Sequence, residues 1–262
     1  MRVFRRTLFV CALLVTLPAP LRAQPAEVEG ARWAEFDART GVWTLQGEGV
    51  RVRRGEWWVE ARLLRYRAYD GTFEAQGGVR AQQGEVLSVL ASSARGSVRQ
   101  GWGELEGEVE VRYRADPGVV ALRAPRARVD FSRRSAEALG GVEVTWREAV
   151  LQADRVSLDG EEVTAQGQPV ATWGRVRLEA GLLRGSLRTG TLWALGGVRG
   201  EHPLGAFRSR EAEVRWREQA VTLRGDVRVD RGGDRLEAEE VRYDWSTGRA
   251  VASGRTRVVV RP

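Results

Sequence analysis

Apolar and polar residues alternate one by one along most of the chain. From Val221 to Asp230, one side takes Val221, Leu223, Gly225, Val227 and Val229, and the other takes Thr222, Arg224, Asp226, Arg228 and Asp230. A period of two describes a β-strand with one face covered and one face wet. Even the Glu- and Arg-rich stretch from Arg210 to Arg217 keeps Ala212, Val214 and Trp216 on a single side. No segment beyond residue 23 holds the 3.6-residue period of a helix, so the chain is expected to be all-β.

The alternation also repeats as a larger unit. A glycine stands inside it at Gly47, Gly77, Gly107, Gly140, Gly167, Gly196, Gly225 and Gly254, at spacings of 30, 30, 33, 27, 29, 29 and 29. Two residues earlier there is always Leu or Ala, and two residues later Val79, Val109, Val142, Val198 and Val227 recur. Upstream of each glycine lies a second strand, ending in pairs such as Leu64/Tyr66, Val156/Leu158 and Val241/Tyr243. Asp70-Gly71, Asp159-Gly160 and Ser246-Thr247-Gly248 supply turns between the two strands. The pair-to-glycine distance is 9 or 11 in six units, a difference of two that leaves every side chain on its own face. Ala94/Gly96 and Leu183/Gly185 match the pair position more weakly. Each unit is thus a hairpin, and eight hairpins make about sixteen strands.

Within the upstream strands the apolar parity flips across three-residue steps, as from Val59/Ala61 to Leu64/Tyr66 and from Leu236/Ala238 to Val241/Tyr243. Such a flip means a bulge or bend that carries a strand from one sheet to another. The repeated glycine, read as standing on the apolar side, fits a tight corner or a close backbone approach. Together these features predict an elongated antiparallel β-jelly roll of about eight hairpin repeats, forming one domain over residues 24–262.

Residues 1–23 have a different character. Arg2, Arg5 and Arg6 precede the apolar run Thr7 to Leu17, and Pro18 to Ala23 follows, which is the layout of a secretory signal peptide cut after Ala23. Eleven apolar residues rise about 16 Å as a helix, too short for roughly 30 Å of hydrocarbon. The protein is therefore expected to be exported. Cys11, the one cysteine, lies inside that run, so the mature chain forms no disulfide. The chain has 42 Arg, no Lys, and a net charge of +7; without the four arginines of the first 23 residues, 38 Arg face 35 acids. The remaining excess is small and alternates with Glu and Asp, which argues against nucleic acid as a partner.

Catalytic chemistry is poorly represented. His202 is the one histidine and falls at a connecting loop. Adjacent acids such as Glu161-Glu162 and Glu239-Glu240 point to opposite faces of an extended strand and suit ion pairing with Arg better than acid–base work. Gly140-Gly141 and Gly196-Gly197 precede no helix and make no phosphate loop. Neither an enzymatic activity nor a cofactor or metal is expected. The tryptophans, at differing offsets from the glycines, read as core filling and sheet-surface packing.

Two stretches carry a resemblance. Ala153-Asp154-Arg155-Val156-Ser157-Leu158-Asp159, followed by Val163-Thr164-Ala165-Gln166-Gly167, resembles the repeat of the OstA-like family, the periplasmic lipopolysaccharide-transport proteins of the LptA kind. Ala238-Glu239-Glu240-Val241-Arg242-Tyr243-Asp244 with Ala250-Val251-Ala252-Ser253-Gly254 resembles another copy. After the glycine, where that family often has Asn, this chain has Gly, Glu, Asp, Gln or Arg. The resemblance implies a twisted jelly roll in the periplasm whose apolar interior shields acyl chains of lipopolysaccharide or a related lipid on the way to the outer membrane, as a carrier or bridge. It further implies head-to-tail self-association through edge strands, here Val251 to Val260, and contact with inner- and outer-membrane transport components. The candidate groove residues are Val163, Ala165, Leu192, Ala194, Trp216, Val221, Leu223, Val227, Val229, Tyr243, Ala250 and Ala252.

The alternation alone is equally compatible with a filled core. A secreted structural β-solenoid also suits a period near 29. An outer-membrane β-barrel is a third reading, although one strand face is dense in Arg and Glu where a barrel needs an apolar band about 25 Å tall.

Overall fold

A computed structural model describes residues 26–261 apart from 116, 117, 131, 187, 203 and 204. The expected signal peptide, residues 1–23, lies outside the described residues. The described chain is all-β and divides into two compact bodies: one ends at Val144 and takes in Ser157–Gly160, and the other covers Thr145–Val156 and everything from Glu161 onward. No linker or change of composition marks that boundary in the sequence.

In the first body the strands are β1 (Glu27–Glu29), β2 (Trp33–Asp37), β3 (Val42–Arg54), β4 (Trp57–Arg67), β5 (Thr72–Gln83), β6 (Leu87–Ser97), β7 (Trp102–Ala115), β8 (Gly118–Asp130) and β9 (Ser135–Trp146). From β3 to β8, each strand pairs antiparallel with the next one in sequence. Every one of these ladders loses register midway, at Gln46/Val50, Glu60/Leu63, Gln76/Val79, Leu90/Ser93 and Glu106/Val109. These breaks coincide with the repeated glycines and with the parity flip inside β4. The strands bend there, and each hairpin folds into two arms meeting at a corner.

Across the corner the two strands are unequal. Gly77-Gly78 on β5 face the single Ser92 of β6, and Gly107-Glu108 on β7 face the single Pro125 of β8. Both residues of the longer side are left-handed, with φ of 84° and 87° for Gly77 and Gly78 and of 75° and 48° for Gly107 and Glu108. Gly167-Gln168 and Gly225-Asp226 repeat this geometry. A left-handed pair favours Gly, Asn and Asp, because other side chains crowd the next carbonyl. The glycines do not stand on the apolar side, as alternation predicts. The left-handed turn rotates them outward: a Cβ on Gly77 would lie 2.8 Å from Cβ of Arg62, and one on Gly225 3.0 Å from Cβ of Arg210, both exposed residues.

What the corner buries is the position two residues further on. Val79, Val109, Val142, Val198 and Val227 are at most 2% exposed; after Gly47 the buried residue is Val50, three positions on, because that corner takes one more residue. On the other arm Leu64, Ala75, Ala94 and Ala127 are also buried. Side chains this small let the two arms close tightly at their junction.

The second body contains β10 (Ala149–Asp159), β11 (Glu162–Gln166), β12 (Val170–Trp173), β13 (Val176–Glu179), β14 (Leu182–Ser186), β15 (Thr191–Leu195), β16 (Val198–His202), β17 (Gly205–Ser209), β18 (Glu211–Arg215), β19 (Ala220–Arg231), β20 (Asp234–Asp244), β21 (Arg249–Ser253) and β22 (Arg257–Val259). One ladder runs β11, β14, β15, β18, then the first half of β19, the second half of β20, and β21. The other runs β10, β12, β13, β16, β17, then the second half of β19, the first half of β20, and β22. Both ladders share β19 and β20, which cross the corner unbroken; β10 is likewise continuous, and the remaining strands of this body are cut there. Counting β1/β2, β11/β12, β13/β14, β15/β16, β17/β18 and β21/β22 as six interrupted strands recovers the sixteen expected from the sequence. Every pairing in these ladders is antiparallel, which excludes the stacked parallel coils of a solenoid.

Candidate functional site

The register sorts the candidate groove residues of the second body into rows. Ala165, Leu183, Ala194, Ala212, Leu223, Val241 and Ala252 follow one another from strand to strand beside the corner. All are buried except Ala252, which is half-buried on the last strand. One step further out run Val163, Gly185, Leu192, Val214, Val221, Tyr243 and Ala250. Here Gly185 and Val214 are still buried, Val163, Leu192, Val221 and Tyr243 are half-buried, and Ala250 is exposed. On the opposite ladder Val227 is buried beside the corner, and Val229 belongs to the next row with Leu178, Gly200, Phe207, Leu236 and Val258. The inner surface is thus sealed at the junction and open to water away from it, rather than uniformly filled or uniformly open.

Trp216 lies elsewhere, just past the end of β18. Its ring meets Trp173 at 5.1 Å edge-on and Trp245 at 6.1 Å. Trp173 ends β12 on one ladder, while Trp216 and Trp245 directly follow β18 and β20 on the other, so the three rings clasp the two arms at their far margin. Each sits six residues after its corner, following Gly167, Arg210 and Glu239 respectively. This regularity is invisible when offsets are taken from the glycines alone. Leu183, Ala212, Val241, Leu178 and Phe207 are lining residues that the choice of glycine-centred strands missed; hairpin register identifies them.

Gly96 and Gly200, where large apolar residues would continue the rows, face aromatic rings. Gly96 lies opposite Phe73, and a Cβ on Gly96 would come within 2.9 Å of that ring; Gly200 lies opposite Phe207 and a Cβ there would collide with it. In both cases the ring fills the space that glycine vacates. The first body has an inner surface of its own, with Val52, Trp57, Val59, Phe73, Ala81, Leu105, Tyr113 and Leu122 half-buried around the buried cluster. Its N-terminal end is more open still, with Val28, Phe36, Trp43 and Tyr66 between 42% and 48% exposed.

The outer faces carry charge in matched pairs. Glu104 sits between Arg95 and Arg128 on the flanking strands, and their guanidinium groups, Arg128 foremost, hold its carboxyl below the usual range. Glu213 is lowered by Arg215 and, less, by Arg224, which also reaches Glu240 at 3.0 Å. Arg255 bonds Glu239 at 3.2 Å, so both members of the Glu239-Glu240 pair face arginines. Trp57 and Trp58 face opposite ways: Trp57 inward, and Trp58 outward beneath Arg51 at 4.8 Å. His202 is exposed at the end of β16, opposite Gly205. Among the described residues no group of three or more His, Cys, Asp or Glu could hold a metal.

Four turn aspartates share one role. Asp70 accepts bonds from the backbone and hydroxyl of Thr72, Asp130 from the hydroxyl of Ser132 and the backbone of Ser132 and Arg133, and Asp244 likewise from Ser246 and Thr247. Asp37 does the same for Thr40 and Arg39, and these bonds lower the carboxyl pKa of all four.

Neither a protein-family model nor a curated protein matches the chain. Among solved structures it is similar to LptH, described as the LptA homologous periplasmic component of the conserved lipopolysaccharide transport device from Pseudomonas aeruginosa, at 18% identity and a TM-score of 0.27, over 55% of this chain and 95% of that one.

Proposed function

We propose that the chain is a periplasmic lipid-binding protein that shields acyl chains between its two arms, as a carrier or bridge moving lipopolysaccharide or a related lipid toward the outer membrane. The observation that carries this reading is the graded inner surface: apolar rows that are dry at the corner stay apolar where they become accessible to water. A surface that merely faced solvent would carry the Arg and Glu of the outer face instead. A buried methylene contributes about 0.8 kcal/mol, so six of them lying along Val163, Leu192, Val221 and Tyr243 contribute about 5 kcal/mol without any polar contact. The resemblance to the OstA-like repeat points to the same cargo. An outer-membrane barrel fits poorly, because the face turned away from the interior is ion-paired rather than apolar.

Extraction of the purified protein followed by lipid mass spectrometry tests the reading. Val221→Glu and Ala252→Glu place a carboxylate on accessible inner positions and are expected to leave the strand content intact while removing co-purifying lipid. Leu223→Arg, at a site only 5% exposed, is expected to prevent folding instead. Undiminished lipid in both glutamate variants refutes the proposal.

A further inference from the structure

The alternation of β3 sends Val50, Val52 and Arg54 inward and Arg51 and Arg53 outward. Arg51 bonds Glu60 at 2.6 Å, and Arg53 donates to the carbonyl of Gly55. Arg54, alone of the three, has no acceptor. Its Nε is buried without a hydrogen-bond partner, and so is the indole Nε1 of Trp57, its register partner across the hairpin. Of the acids in this hairpin, Glu60 is bonded to Arg51 and Glu56 is exposed, and neither bonds Arg54. Two buried donors beside each other with no acceptor are an unfavourable arrangement for an empty protein. A guanidinium cannot escape by losing its proton, and its planar fork matches the oxygens of a phosphate or carboxylate.

Both donors stand at the margin of the inner surface, one step beyond Val52 and Val59. We infer that Arg54 and Trp57 form an oxyanion subsite that receives the phosphate of a lipid whose acyl chain lies along Val52, Val59 and Ala81. The subsite rests on the lipid reading above and deepens it, naming an anionic amphiphile as the cargo. The guanidinium supplies charge and two parallel donors, and the indole N–H supplies a third.

The test compares binding of lysophosphatidic acid and of the monoacylglycerol with the same chain, by calorimetry on the intact protein, with inorganic phosphate as competitor. The phosphorylated amphiphile is expected to bind about tenfold more tightly, as a charge-assisted contact warrants. Arg54→Met, which keeps the apolar stem, is expected to bring the two ligands to within about twofold of each other. Trp57→Phe is expected to reduce the preference by a smaller factor, and inorganic phosphate is expected not to displace the lipid. Arg54→Met is also expected to melt no lower than the parent, since it removes an unmet donor; a lower melting point assigns Arg54 a structural role and overturns the subsite. Equal binding of both ligands by the parent, or an undiminished preference in Arg54→Met, overturns it while leaving the groove standing. Displacement by phosphate alone shows an anion site without a tail and also overturns it. Failure of both amphiphiles to bind the parent counts against the lipid reading itself.

Discussion

The adjacent glycines of β5 separate two causes of strain at the corner. Gly77 and Gly78 have nearly equal φ, 84° and 87°, so an alanine at either position incurs the same left-handed penalty of about 1–2 kcal/mol. Their surroundings differ. A Cβ on Gly78 meets nothing within 4 Å, whereas one on Gly77 lies 2.8 Å from Cβ of Arg62 and 3.1 and 3.2 Å from its Cδ and Cγ. The Arg62 Cβ is tied to the backbone of β4 and cannot swing aside, so the overpacking adds about 1–3 kcal/mol. Gly78→Ala is therefore expected to lower stability by about 1–2 kcal/mol and Gly77→Ala by about 2–5 kcal/mol in total. With a urea slope of about 2 kcal/mol per molar, the two midpoints should differ by about 0.5–1.5 M. Equal midpoints, or a greater loss in Gly78→Ala, would show that the repeated glycine is not required by the approach of the neighbouring strand and would refute the account of the corner.

Two further outcomes follow from the margins of the molecule. Trp216→Ala removes both ring contacts of the clasp and is expected to lose about 1 kcal/mol beyond the buried area, with near-ultraviolet dichroism reduced; an unchanged spectrum contradicts the clasp. Asp37, Asp70, Asp130 and Asp244 have lowered pKa values in the folded chain, so the stability they contribute is present above the ordinary carboxylate range near 4 and is lost as pH falls through their folded values. Unfolding followed by urea is expected to be nearly independent of pH between 7 and 5 and to weaken steeply below about 4; a marked decline already at pH 6 is inconsistent with carboxylate control.

Much of this architecture is readable from residue order, and the parts that are not have definite causes. Because alternation reports directly on which side chains are covered, the glycine column, the 9-or-11 hairpin spacing and the parity flip at Ala61 and Leu64 locate the corners of the glycine-bearing strands and of β4, but not those at Ser92 and Pro125. The direction of the glycines themselves is misread, since a left-handed pair rotates the chain and alternation carries no information on φ. Gly96 looks like a weak match because the sequence does not show that the ring of Phe73 fills the row from the opposite strand. Val163, Ala165, Leu192, Ala194, Leu223 and the other groove candidates apart from Trp216 fall on the inner rows, but their division into dry and wet positions depends on distance from the corner, a quantity fixed only when both arms are in place. Arg54 gives no signal at all beyond standing next to Arg53, where one of the two must face inward.

From β3 to β8 the ladders join each strand to its immediate neighbours in sequence. Loss of a terminal hairpin therefore leaves behind a new end with the same kind of rim as the old one, and the next hairpin meets the same balance of forces. Such a body should peel in whole modules of about thirty residues instead of melting at once, with amide protection rising stepwise from the rim toward the middle.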